Sequence, residues 1–460
     1  MPVTTTHPDY DRHLPEWQAI DAALAGEAAI KADAKNLPKP SGMAAAEKLD
    51  PDNAYLYKGY TERAQYEQWV KDSLRTMMGL VSRLQPEIEL PAGMEYMREN
   101  ATDDGFSLRQ LFMRVVRQSV SHGRTPLLVN VDDSGKAYMT AYQAASAINW
   151  KLGNQGGRND LILAVMRETR PADEDDEFSH EVDTVYRVLY MRDGGCFTRV
   201  EDGDGKIIEA ERALGASDAR GSTVRVLDYI PIVYAGSTDN SPDVDEVPLL
   251  SMARAALKSY QLSADYFTSL HYTSHPQPWV SGLTEDKEIT VTGPSAAWDL
   301  GENGSCGYLE FQGAGIEAVR QAMQDQKLAA LEAGAKVMDV GGVESGEARK
   351  ARQNDQHATL HSIVVTAAEA IEQALRYAAH WLGFDEEQVK FTINPTFVEH
   401  FVDPQVLTAI QQAVLAGGVS WASYWTFLTT GKLPEHSYEE EALLVEGMTP
   451  MREAWHEATT

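Results

Sequence analysis

One stretch constrains this chain more than any other: Pro248 to His275, PLLSMARAALKSYQLSADYFTSLHYTSH. Pro248 stands where a helix begins, because its missing N–H costs nothing there. After it, Leu249, Ala253, Ala256, Tyr260, Ala264 and Phe267 recur at steps of three and four, the spacing of one helical face. Leu249 to His271 predicts a rod of about 34 Å at about 1.5 Å per residue. Its Ala and Ser residues would let neighbouring helices approach closely, and Pro276 and Pro278 forbid continuation. A second helical segment, Ile316 to Ala333, follows an insertion of about forty residues. Two rods flanking an insertion predict an antiparallel pair with a small module at its far end. A buried helical hairpin inside an enzyme fits the same spacing.

A chain of 460 residues is long enough for two to four structural units. Its 69 Asp and Glu against 40 Lys and Arg give a formal net charge of −29. Such a chain repels nucleic acid wherever the acids face it, which disfavours a conventional DNA-binding role. Cys196 and Cys306 are the two cysteines, which fits a reducing compartment and excludes a disulfide framework or Cys-rich zinc site. The start, MPVTTTHPDYDRHLPEW, lacks the basic-then-apolar pattern of a signal peptide. The best apolar stretch, Ile363 to Leu382, carries Glu369, Glu372 and Arg376, so no membrane span and a soluble cytoplasmic protein are expected.

In chain order, a short helical pattern surrounds Trp17, Ile20 and Leu24, and NLPKPSG reads as a linker. One helical segment is expected from Asp50, carrying Tyr60, Ala64, Trp69, Val70, Met77, Leu80, Val81 and Leu84 and closed by Pro86. Ser107 reads as an N-cap and Gly123 as a C′ residue around the apolar face Leu108, Leu111, Phe112, Val115, Val116 and Val120. Leu127 to Val131 then reads as a strand ending in a turn at Asp132 to Gly135. Residues 160 to 235 are β-rich, in the runs LILAVMRETR, VDTVYRVLYMRD, CFTRVED, KIIEA and TVRVLDYIPIVYAG. The acidic run Asp173 to Glu177 reads as a solvated loop. Glu347 to Leu382 predicts a long helix with Ile363, Ala367, Ala370, Ile371, Ala374, Ala378 and Trp381 on one face. VKFTIN reads as a strand, and short helices follow from Asp403.

Catalytic signatures do not emerge. None of the three Gly-Lys pairs is followed by Ser or Thr, so no P-loop is present. No G-x-S-x-G and no H-E-x-x-H occur. His271 with His275, and His357 with His361, have i,i+4 spacing but no nearby third ligand, and helix-surface histidines explain both. Asp202-Gly203-Asp204-Gly205 lacks the spacing and closing Glu of a calcium loop and reads as a hairpin turn. The helix–Gly-Gly–Ser–helix of Leu407 to Leu428 has the outline of a helix-turn-helix reader. From Asp403 to Thr460, however, eight acids face two bases, too little positive charge to hold phosphates. No enzyme activity, cofactor or metal is expected.

The order of these elements resembles that of tailed-bacteriophage portal proteins, in the group often labelled only as a domain of unknown function. The likeness spans roughly Tyr55 to Glu446. Its anchors are DGFSLRQLFMRVVRQSVSHGRTPLLVNVD, IPIVYAG followed by VPLLSMARAALKSYQLSADYFTSLHYTSHPQPWVSG, GYLEFQGAGIEAVRQAM, ESGEARKARQNDQHATLHSIV and VLAGGVSWASYWTFLTTGKLP. The resemblance implies an α+β portal fold. Its plan would be an N-terminal arm and α/β wing over 1–247, a first stem helix over 248–271 and a clip over 272–314. A second stem helix over 315–334 would be followed by a channel loop, long helix and wing strand over 335–402, then a helical crown over 403–460.

It further implies a dodecameric ring at one capsid vertex, the conduit for packaging and ejecting double-stranded DNA. Implied partners are copies of the same chain, the terminase large subunit, head-completion or tail-adaptor proteins, and major capsid and scaffolding proteins. The expected location is the virion, after assembly in the host cytoplasm. Lys336, Val337, Met338, Asp339, Val340 and Glu344 become DNA-facing candidates of the channel loop. Ala253, Ala256, Tyr260 and Ala264 become candidates for packing between stem subunits, and Glu285, Asp286 and Glu288 for an acidic clip. From Tyr272 to Gly315 six acids face one base, and an acidic conduit lets a polyanion slide. Acidic surfaces that merely keep a protein soluble explain much of the same excess. Another capsid or tail-adaptor scaffold, and an enzyme with a cryptic site, are the rival readings.

Overall fold

The fold is α+β, and the chain divides into two units, residues Met1–Pro395 and Thr396–Thr460. The structure is a computed structural model. It describes residues 2–155, 158–173, 178–217, 223–274, 277–282, 304–309, 313–333, 346–394, 404–430, 434 and 437–446.

The first unit opens with five helices: α1 (Pro8–Ala25), α2 (Glu27–Ala32), α3 (Ser41–Leu49), α4 (Ala54–Arg63) and α5 (Trp69–Val81). His7 caps α1 by accepting the Asp9 N–H, and Trp17, Ile20 and Ala23 bury its inner face. The single helix expected from Asp50 is broken between α4 and α5. At the break the Gln65 N–H is donated to Ser263 Oγ at 2.9 Å, so a tertiary acceptor replaces the helical one. Pro86 does more than close a helix: it opens strand β1 (Pro86–Glu89), a first-residue position where its missing N–H is tolerated.

Helix α6 (Leu108–His122) forms as its termini dictate. Ser107 and Gln110 make a reciprocal capping box, and Gly123 ends the helix at φ 74°, a left-handed conformation that suits glycine. Strand β2 (Arg124–Val131) begins three residues earlier than Leu127 and pairs with β3 (Ala137–Ala141) through the Asp132 turn. Next come β4 (Ala147–Gln155), β5 (Arg158–Pro171), β6 (Val182–Arg192), β7 (Gly195–Asp202) and β8 (Ile207–Ala213), an antiparallel five-stranded meander. The run at 223–236 is two strands in different sheets. β9 (Gly215–Ser217) pairs with β10 (Thr223–Val226), whereas β11 (Ile232–Gly236) joins β2. Most of the acidic run Asp173 to Glu177 lies outside the described residues.

Helix α7 (Leu250–Thr273) leads to strands β12 (Gln277–Ser281) and β13 (Ser305–Leu309), followed by α8 (Ala314–Glu332) and α9 (Gly346–Leu382). The α9 face expected from spacing is buried: Ile363, Ala367, Ala370, Ile371, Ala374, Ala378 and Trp381. Its alanines let α9 lie close on the β11-β2-β3 sheet beside α6. Strand β14 (Lys390–Ile393) then pairs with β1, register Pro86↔Ile393. The second unit contains α10 (Pro404–Leu415), α11 (Trp421–Thr430) and α12 (Tyr438–Glu446).

Candidate functional site: the paired helices and their hairpin

Helix α7 is anchored along its inner length. Met252, Ala253, Ala255, Ala256, Ser259, Tyr260, Ser263, Ala264 and Thr268 are buried, and α1, α4 and α5 pack on the helix. Polar ties repeat along the seam. Arg254 pairs with Glu16 at 3.1 Å, the Tyr60 hydroxyl donates to Asp265 at 2.7 Å, and Arg63 donates to Thr268 Oγ1 at 3.2 Å. Tyr66 meets Tyr260 edge-on, ring centroids 6.2 Å apart. Burial first, and then the bond to Asp265, holds the Tyr60 phenol well above its usual range; burial pushes Tyr260 up to about 12. Both hydroxyls therefore stay protonated at neutral pH.

The four stem-packing candidates lie along this seam. Ala253, Ala256, Tyr260 and Ala264 are 4%, 0%, 0% and 0% exposed in a single chain. That face is buried within the single chain, where α8 as well as α1, α4 and α5 packs on α7. Periodicity marks a face as buried without naming what buries it.

Helix α8 differs in character. It packs on α7, and of its described side chains only Ala330 and Leu331 are buried, both in its last turn. Leu328 is 50% exposed, and the Glu317–Arg320 pair and the Gln321–Asp325 hydrogen bond lie at the surface. The two helices run antiparallel. β12 and β13 form a hairpin with register Gln277↔Leu309, which brings the end of α7 beside the start of α8. Tyr266, two turns before the end of α7, lies close enough to Arg320 to act on its charge. At about 1.5 Å per residue, α7 is a rod of about 36 Å and α8 one of about 28 Å.

The hairpin beyond them sets Trp279, 44% exposed, opposite Gly307. A Cβ at Gly307 would come 3.1 Å from the indole Nε1, so the glycine leaves the ring room to lie across the strand. Ser281 and Ser305 hydroxyls meet at 2.8 Å, and Cys306 is exposed beside them. Spacing did not single out Trp279 or Ser305; the Trp-Val pair after two prolines was the available strand signal. Glu285, Asp286 and Glu288 lie outside the described residues, as do Lys336, Val337, Met338, Asp339, Val340 and Glu344.

Where α7 meets the N-terminal helices, a groove of about 720 Å³ is lined by Glu27, Lys31, Arg63, Tyr66, Phe267 and His271 among others. Lys31 is committed to Glu27 at 2.8 Å and Arg63 to Thr268. Among the described residues no group of three or more His, Cys, Asp or Glu is placed to hold a metal ion. Among them, too, no helix is long and apolar enough to cross a membrane. Cys196 is buried and its thiol pushed up to about 12 by that burial, which makes it inert.

In the second unit, Glu441 of α12 reaches the start of α11. It accepts the Ser420 N–H and the Ser423 hydroxyl, both at 2.7 Å, while Ser420 Oγ accepts the Ser423 N–H at 3.0 Å. A carboxylate there satisfies orphan helix donors and complements the helix dipole. The same unit exposes Trp421, Trp425 and Leu443 by 55%, 68% and 69%.

Residues 248–382 match a family described as "Domain of unknown function (DUF4055)". That span holds α7, the hairpin, α8 and α9. The chain is similar to a chain in the neck of a native GTA particle computed with C12 symmetry: 13% identity, TM-score 0.41, over 80% of this chain and 90% of that one. It is similar also to a chain in the virion of a native gene transfer agent particle: 12% identity, TM-score 0.40, with the same coverage. No curated protein matches it.

Proposed function

We propose that the chain is the subunit of a phage-type portal, a ring of about twelve copies at one capsid vertex through which double-stranded DNA is packaged and later released. The observation that carries this reading is the α7–α8 pair, held to the body along α7, open along most of α8 and tipped by a small hairpin. A conduit needs a wall element that is long, rigid and repeated around an axis. An anchored antiparallel pair with one helix still uncovered supplies it. In this reading α7 and α8 are the stem, the hairpin belongs to the clip, α9 is the helix beyond the channel loop, and α10 to α12 belong to the crown.

The place in the particle is that of a head-to-neck component, as for the gene transfer agent chains of similar outline. The terminase large subunit would dock at the clip during packaging, and head-completion or tail-adaptor proteins afterwards. Capsid and scaffolding proteins would meet the wing. The chain works without catalysis of its own: with no P-loop in its sequence, the energy for packaging comes from the motor. A formal charge of −29 per copy keeps the DNA from sticking to the conduit.

The test separates assembly from passage. Replacing Met338 to Val343 by a short Gly-Ser linker should leave rings intact and stop packaging of full-length genome in a reconstituted system. Normal packaging by such rings would refute the channel-loop assignment. Turnover of ATP by the purified chain above a contamination control would refute the non-enzymatic role.

A further inference from the structure

Arg124, the first residue of β2, is fully buried, and its three guanidinium nitrogens meet no acceptor at hydrogen-bond geometry among the described residues. Its Cζ lies 4.1 Å from the Trp150 ring of β4 and 4.3 Å from the Tyr234 ring of β11. Arginine stays charged in proteins, so this is a cation held between two aromatic faces. Ring quadrupoles alone offset only part of the cost of burying a charge, and nearby carboxylates add to them.

Those carboxylates stand on the loop that joins β11 to α7. The register sets Arg124 opposite Gly236, and the loop folds back over that pair. The Ser237 N–H donates to Gly123 O at 3.2 Å, and the Asp245 carboxylate accepts from Thr238 N–H at 2.7 Å. A Cβ on Gly236 would come 2.4 Å from Asp245 Oδ2, and one on Gly123 would come 2.6 Å from Glu246 O. Asp243 lines a cleft of about 410 Å³ with Trp150, His7 and Lys151. Burial works against the charged guanidinium; Tyr234 opposes that most, and Asp243 and Asp245 add to it. Five residues after Asp245, Leu250 opens α7, its N–H donating to Val247 O.

We propose that Arg124 is an electrostatic anchor for the loop at 237–249, its buried cation holding Asp243 and Asp245 over the sheet and so fixing the loop that leads into α7. The anchor acts within one chain and does not depend on ring formation. Asp243 makes no hydrogen bond among the described residues, so Asp243→Asn removes its charge without breaking one. Asp245→Asn keeps an acceptor oxygen.

Hydrogen exchange followed by mass spectrometry on the full chain tests this. Asp243→Asn should speed exchange of the 237–249 amides about threefold, and the double variant with Asp245→Asn about tenfold. Amides of Leu127 to Val131 and Ile232 to Ala235 should not change. In an Arg124→Met background, Asp243→Asn should have no further effect. Unchanged loop exchange in the double variant overturns the proposal, and so does acceleration by Asp243→Asn that persists without Arg124. Should Arg124→Met fail to fold, Arg124→Gln replaces it as the background.

Discussion

Placing an indole at Ala256 distinguishes a face closed within the chain from one that waits for a neighbour. Ala256 is fully buried on α7, against which α8, α1, α4 and α5 pack. Overpacking a closed core costs typically about 1–3 kcal/mol, and indole, the largest insertion, belongs at the upper end. Unfolding entropy near 2.1 cal/mol/K per residue gives about 0.8 kcal/mol/K for a unit the size of residues 1–395, so the midpoint should fall by roughly 1–4 °C. The partner variant is Leu328→Glu on the open side of α8, where a surface change should cost no more than about 0.5 kcal/mol. Scanning calorimetry on dilute protein reads the first effect, and mass photometry reads assembly. Ala256→Trp should lower the midpoint of the unassembled chain, and Leu328→Glu should leave it alone while breaking up oligomers. An Ala256→Trp chain with an unchanged midpoint would show that the inner face of α7 is not packed within the chain.

Other perturbations reach different parts of the molecule. Tyr60→Phe removes the donor to Asp265 and should cost about 1–2 kcal/mol in urea unfolding; no change would show that the bond adds nothing to the α4–α7 seam. Glu441→Ala strips the carboxylate from the start of α11 and should lower the stability of residues 396–460 by about 1–2 kcal/mol, read as an earlier loss of helical signal. In Glu209, burial works to raise the carboxyl, and the bond to Arg170 and the charge of Arg187 outweigh it and hold the group low. Its contribution is therefore complete above the ordinary value of 4.5 and is lost as pH falls through the lowered one. Glu209→Gln should flatten that part of the acid unfolding curve, and an unchanged curve would count against the pair.

Much of the fold was legible because it rests on local chemistry. Ser107, Gln110 and Gly123 bound α6 with side chains and backbone only a few residues apart. The alanine face of α9 and the rods of α7 and α8 follow from spacing alone. What sequence left open was long-range. Nothing near Gln65 announces a helix break, because the group that breaks it, Ser263, lies 198 residues away. β1 finds its partner only in β14, some 300 residues later. The destination of the Ala253, Ala256 and Ala264 face is of the same kind: spacing says buried, and tertiary structure says by what. Arg124 was invisible for another reason, since a charged residue after a helix-ending glycine reads as a turn rather than as the middle of an aromatic stack.

Assembly state is the measurement that bears most directly on the portal reading. Negative-stain imaging of the purified full chain should show rings with a central hole and about twelve subunits. Monodisperse small globular particles at every concentration, with no ring, would contradict it.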